Sequence, residues 1–152
     1  MAPRRPTSDA GYLEAAARII FMGGLNRAVV DSKWPGFRAA FHGFDVARVA
    51  SLGPDDLERL AVDERVIRHR SKLAAVVHNA EVMEALAADH GSFDGYVTAL
   101  LRAAGVSKTC AELAAQFAYI SKDGARHWLY ATGHDVGEVT DKVRAKYAPF
   151  GG

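Results

Sequence analysis

The side chains able to do chemistry fall into three short clusters. Arg65-Val-Ile-Arg68-His69-Arg70-Ser-Lys72 sets four formal positive charges and a histidine within eight residues, with no acid among them. Such a block can neutralise phosphates and attract a polyanion. Asp55, Asp56, Glu58, Asp63 and Glu64 lie just upstream and favour the blander reading, a self-compensated, solvated face. In Tyr119-Ile-Ser-Lys-Asp-Gly-Ala-Arg126 one helix ends near Tyr119 and another begins near Ser121, with Gly124 in its first turn. A helix N-terminus with free N–H groups and no bulky side chain holds a phosphate. Lys122 and Arg126 would assist it and Asp123 would oppose it, while a plain helix–turn–helix joint is the competing reading. Gly23-Gly24-Leu25 breaks an apolar helix and carries Leu25 at its tip, a residue able to wedge between bases. A C-cap with its hydrophobic contact is the ordinary explanation of the same three residues.

Other chemistries find little support. The six histidines (His42, His69, His78, His90, His127 and His134) include no i, i+4 pair, and there is one cysteine, Cys110. No metal is therefore assigned, and no disulfide framework is possible within the chain. Phosphate-loop, dinucleotide and nucleophile-elbow fingerprints are absent, so no cofactor is expected. Cys110 sits in an apolar helical stretch and reads as a small core residue.

These clusters must be positioned by helices. Tyr12–Met22 is apolar on nearly every side except for Glu14 and Arg18, which are four apart and share one stripe, so it reads as a central buried helix. Gly23-Gly24 ends it and a second helix starts at Asn26. Trp34-Pro-Gly36 reads as a turn before a new helix through Phe37 and Phe41. Asp45 caps Val46–Ala50, and Pro54 with Asp55 and Asp56 opens another helix. Leu73, Val76, Val77, Ala80, Met83 and Ala87 recur at helical spacing over about Ser71–Ala88. Ser92 and Thr109 read as caps, the latter in capping-box register with Glu112. Val136, Val139, Val143 and Tyr147 form a stripe on a last helix. Strand alternation is absent, so the expected fold is an all-α bundle of about eight to ten short helices.

With 152 residues, 49% hydrophobic and 24% charged, the chain suits one domain, expected over residues 8–148 with flexible ends at 1–7 and 149–152. A net charge of +1 excludes a histone-like polybasic protein but not a local basic face. No run approaches the roughly 18 apolar residues of a membrane span, and no signal-type apolar core follows Arg4 and Arg5. No membrane partner is expected, and a cytoplasmic place follows from this reading.

Three segments resemble the 3-methyladenine DNA glycosylase I family of the helix-hairpin-helix DNA glycosylases. Gly36–Ala50 is similar to the family's aromatic-Arg-x-x-Phe-x-x-Phe-Asp-x-x-x-Val-Ala signature. Val66-Ile-Arg-His-Arg-Ser-Lys-Leu73, followed by Asn79-Ala80, resembles Ile-Ile-Arg-His-Arg-x-Lys-Ile with its later Asn-Ala. Gly24-Leu25 stands at the family's Gly-Leu-Ser-Trp position. The resemblance is specific over Tyr12–Ala80 and weaker but collinear from Thr109 to Gly133. It implies a helix-hairpin-helix glycosylase fold and a base-excision repair enzyme that flips an alkylated purine and hydrolyses its N-glycosidic bond. Its partner would be double-stranded DNA carrying a damaged base, met as a nucleoid-associated monomer. Ile120, Ser121, Lys122, Asp123, Gly124 and Arg126 would then bind the DNA backbone, and Gly24 with Leu25 would plug the gap. The basic run from Arg65 would be structural, joining helices through buried Arg contacts.

The departures fall on the base pocket. Where the family has a base-reading Glu this chain has Ile19, and where it has a pocket Trp this chain has Arg27. The zinc-binding Cys and His residues and the aromatic N-terminal arm have no counterpart in the sequence. Ile19, Phe21, Met22, Arg27 and Trp34 are the expected pocket residues, and Asp141 is the candidate catalytic acid. Against it, Asp141 also reads as a solvated neighbour of Lys142. Arg27 would oppose a cationic base and favour a neutral lesion. The alternative is a catalytically silent relative that binds DNA or marks lesions. A third possibility is a helical scaffold that no longer touches DNA.

Overall fold

The computed structural model describes residues 3–24 and 26–147. In chain order these form α1 (Asp9–Met22), α2 (Arg27–Ala40), a 3-10 turn at His42–Phe44, α3 (Val46–Ala50), α4 (Pro54–Leu60), α5 (Arg70–His90), α6 (Phe93–Gln116), α7 (Lys122–Ala131) and α8 (Asp141–Lys146). The described residues are all-α, as the periodicity implies. Not all the helices are short: α5 runs to 21 residues, while the 24 residues of α6 are two shorter helical segments joined at the non-helical Gly105.

α1 occupies the middle because its sequence leaves it little polar surface. Tyr12, Leu13, Ala16, Ala17 and Ile19–Met22 are all buried, and small alanines let α5 and α7 approach closely. Two of its three charged residues, Glu14 and Arg18, form a seam with α2. Trp34 Nε1 and Arg38 Nε donate to Glu14 at 3.0 and 2.8 Å, and Arg18 donates to Asp31 at 2.8 Å with its guanidinium over the Trp34 ring.

α2 corrects the expected turn at Trp34-Pro-Gly36, because the helix continues through Pro35. Pro35 cannot donate to the carbonyl one turn back, a real cost inside a helix. Packing overrides it. Trp34 stacks on Phe37 and Phe44 at 4.9 and 5.5 Å, Phe21 meets Phe37 at 4.7 Å, and Gly36 lies flat against the Arg65 backbone. Asp45 and Ser92 cap their helices as expected, accepting from the N–H groups of Arg48 and Gly95. Thr109 caps nothing. It is buried inside α6, whose interruption falls instead at Gly105, with φ 81° and ψ 175°.

The expected last helix is shorter than its stripe. Val136 and Val139 lie in the loop before α8, since Thr140 caps Val143 N–H and the backbone at Val136 and Glu138 bonds to Arg126 instead of to a helical ladder. In the first segment Pro3 and Pro6 are half-buried and Arg4, Arg5 and Thr7 exposed, with Arg5 making side-chain contacts to the body of the protein. Arg5 pairs with Asp94 and donates to His134 Nδ1, and its backbone passes so close to Gly133 that a Cβ there would stand 2.5 Å from Arg5 N. Tyr12 O–H donates to Asp94 at 2.5 Å and accepts from His134 Nε2 at 2.7 Å, so the buried imidazole is neutral with its proton on Nε2. Residues 149–152 lie outside the described residues.

Candidate nucleic-acid interface

The two loops singled out in the sequence are held by one helix, α5. His69 precedes it and accepts Lys72 N–H on Nδ1. Lys72 reaches across to donate its ammonium to Gly23 O at 2.8 Å, above the Phe21 ring, and so closes the C-terminal end of α1, where a cation is favoured. Seven residues along, the buried Asn79 binds the joint before α7 at both polar groups of one peptide residue. Its Oδ1 accepts from Ala118 N at 2.8 Å and its Nδ2 donates to Ala118 O at 3.2 Å. Tyr119 then turns through a left-handed φ of 61° and is 54% exposed, its ring edge-on to His69.

Beyond Tyr119 the chain is anchored by the buried Ile120 and capped by Ser121, whose Oγ accepts from Gly124 N at 2.9 Å. Lys122 and Asp123 are exposed on the first turn of α7. Gly124 packs beside Ile19, since a Cβ built on it would stand 3.8 Å from Ile19 Cγ2. The hairpin and the position of the family's base-reading residue are thus brought together. Arg126 does not join them as a backbone-binding group: its guanidinium is committed to the carbonyls of Val136 and Glu138. A cleft of about 310 Å³ beside the hairpin is lined by Val106, Ser107, Cys110, Lys122, Asp123 and Arg126. Burial pushes the Cys110 thiol up, away from the thiolate a nucleophile needs.

The expected pocket residues separate. Phe21, Met22 and Trp34 face the core and are almost completely enclosed, so the expectation that they wall a pocket is corrected. Ile19 is 9% exposed beside the hairpin. Arg27 is tied to Asp31 and donates to Ala145 O near the end of α8. The same end of α8 brings the Tyr147 ring to 4.9 Å from His127, one turn along α7 from Gly124. Asp141 begins α8 with a side chain 97% exposed and paired with Arg144 at 2.7 Å rather than with Lys142. Gly24 ends the described part of the first turn, and Leu25 lies outside the described residues.

The arginines of the basic run are exposed, so the expected buried Arg contacts between helices are corrected. Arg65 pairs with Asp63 and Arg70 with Glu58, both on the surface, so two of the upstream acids do compensate it. A zinc clasp does not fit this donor set. Among the described residues no three His, Cys, Asp or Glu side chains come together, Cys110 is buried in α6, and both His134 nitrogens are engaged.

The model of the methyladenine glycosylase family matches residues 13–123. The chain belongs to that family. Among its relatives, DNA-3-methyladenine glycosylase 1 of Escherichia coli is 44% identical over 57 residues, 38% of this chain and 30% of that protein. The DNA-3-methyladenine glycosylase of Haemophilus influenzae is 32% identical over 74 residues, 49% of this chain and 40% of that protein. The matched segments therefore span well under half of either relative. Two solved structures share the fold. A 3-methyladenine DNA glycosylase I superposes with a TM-score of 0.75 at 23% identity, over 87% of this chain and 82% of the other. The Staphylococcus aureus 3-methyladenine DNA glycosylase I does so with a TM-score of 0.77 at 18% identity, over 88% and 80%.

For this methyladenine glycosylase family member, sequence reasoning did not foresee the exposed Tyr119 at the hairpin or the ring contact of His127 with Tyr147, nor how Lys72 and Asn79 hold the two loops. Lys72 and Asn79 were visible in the resemblance but carried no role there. The signal for Tyr119 is an aromatic directly before the hairpin's buried Ile120.

Proposed function

We propose that this protein is a DNA glycosylase that extrudes an alkylated purine from duplex DNA and hydrolyses its N-glycosidic bond, acting as a metal-free monomer. Family membership supports the reaction class. The observation that carries the reading is the joint attachment of the Gly23-Gly24 turn and the Ala118–Gly124 hairpin to α5. A duplex laid on this edge meets the N–H groups of α7's first turn and Lys122 at its phosphates. Leu25, next in the chain after Gly24, enters the stack where the nucleotide leaves. N-alkylation that leaves a purine cationic makes it a good leaving group, so extrusion and exclusion of water supply much of the catalysis. This reading gives Asp141 no part in the chemistry.

The deciding experiment is chromatographic detection of free base released from methylating-agent-treated duplex by stoichiometric protein. Release of 3-methyladenine above background supports the reading. Leu25→Ala should then slow release more than it weakens binding to undamaged duplex. One observation favours the silent binder: Ile19, Phe21 and Met22 are packed inside, where an open recess would serve excision. Lesion-dependent duplex binding with no base released would establish that second reading.

A further inference from the structure

The positive charges of residues 65–72 lie around the start of α5, an end at which a helix favours acids, and the first turn of α5 contains none. Most of these charges are accounted for within the protein. Arg65 pairs with Asp63, Arg70 pairs with Glu58, and the Lys72 ammonium donates to Gly23 O. Arg68 is exposed and, among the described residues, has no acid partner.

Two hydrogen-bond donors from different elements adjoin it. His69, next in the chain, accepts Lys72 N–H on Nδ1 at 3.2 Å, so the neutral ring carries its proton on Nε2. The Tyr119 ring reaches over from the hairpin and meets His69 edge-on, with centroids 6.5 Å apart. Neither the Nε2–H nor the phenol O–H has a hydrogen-bond acceptor among the described residues, and both side chains are exposed. Tyr119 is held outward at a cost. Its φ of 61° is a left-handed conformation that a bulky residue avoids. Its neighbours enforce it, because Asn79 takes both polar groups of Ala118 and Ile120 is buried. Strain imposed in this way gathers at ligand contacts.

Resting on the glycosylase reading, we propose that Arg68, His69 and Tyr119 form a second phosphate site, which takes a phosphodiester of the duplex on the α5 side of the hairpin. A phosphodiester matches the donor set: its negative charge suits Arg68, and its unesterified oxygens accept from the Nε2–H and the phenol O–H. Such a contact positions the duplex and reads no base. It also engages both loops at once, since His69 caps the turn from which Lys72 holds Gly23, and Tyr119 belongs to the hairpin.

The test measures the affinity of the full chain for undamaged duplex by fluorescence anisotropy over a series of salt concentrations. Tyr119→Phe keeps the ring and His69→Asn keeps a capping acceptor. Each should weaken binding about tenfold, the scale of one charge-assisted hydrogen bond, and leave the slope of log K against log salt unchanged. Arg68→Ala should weaken binding and reduce that slope by about 1, and Arg68→Lys should restore the slope. Tyr119→Gly relieves the left-handed φ, so it should melt no lower than the wild type while binding about tenfold more weakly. Wild-type affinity in Tyr119→Phe and His69→Asn, or an unchanged slope in Arg68→Ala, would overturn the proposal. So would a lower melt with undiminished binding in Tyr119→Gly, which would give the ring to the fold. Base release is assayed separately: a wild-type protein that binds duplex but frees no base fails the glycosylase reading and leaves these binding outcomes to decide the phosphate site.

Discussion

Asn79 illustrates how much one buried amide controls. Both its polar atoms bind Ala118, so removing them leaves the N–H and C=O of that half-buried residue without their side-chain partner. Each such orphan costs roughly 1–3 kcal/mol. Asn79→Ala should therefore lower the unfolding free energy by about 3 kcal/mol in urea titrations, and it should weaken duplex binding more than a surface substitution of equal stability cost. A second residue-scale outcome concerns pH. Burial, followed by the charge of Arg5, holds His134 below the ordinary histidine range. The unfolded chain binds this proton first, near about pH 6.5. The stabilisation is thus complete above that value and is lost as pH falls from it towards the lower folded value. Melting temperatures recorded from about pH 8 to about pH 5.5 should decline below pH 6.5, and His134→Gln should flatten part of the decline. An unaltered slope would remove His134 from the linkage.

At the scale of elements, two glycines carry the contrasts between expectation and fold. Gly36 lies where a Cβ would stand 2.1 Å from Arg65 O, a backbone atom with no room to yield. Gly36→Ala should destabilise by about 3 kcal/mol by forcing α2 off the Arg65 segment, measured by denaturant melts. Gly105 has a φ and ψ that only glycine adopts readily, and Gly105→Ala should cost about 1–3 kcal/mol. The helices bounded by strong local signals were legible: the buried α1 ending at Gly23, and those begun by Asp45, Pro54, Ser92 and Ser121. The misreadings share a cause. Trp34-Pro-Gly36 and Thr109-x-x-Glu112 are local stop and start signals overridden by packing, here an aromatic stack and a buried helix interior. The Val136–Tyr147 stripe fails in the opposite sense. Its hydrophobic spacing is genuine, but Arg126 claims the carbonyls that a longer helix would need.

For the molecule as a whole, a net charge of +1 means that any hold on DNA comes from a few local contacts. The salt dependence of duplex binding should be shallow, and Lys122→Ala should reduce the slope of log K against log salt by about 1 without altering lesion preference. A slope unchanged by that substitution would take Lys122 off the phosphate path. The hairpin and the glycine turn were legible because their chemistry is local in the chain. The aromatic pair His127–Tyr147 was not, because it exists only once α8 folds back, and no local spacing encodes that return. The attachment of both loops to α5 has a metrical consequence. Lys72 and Asn79 are seven residues apart on one helix, so their levels differ by about 10 Å. That is about three base-pair rises of B-form DNA. A rigid rod sets this interval, not two independently mobile loops. On the glycosylase reading, the offset between the point where the stack would be entered and the phosphate that would be gripped beside it is fixed by α5 before any DNA arrives, a ruler built into the protein.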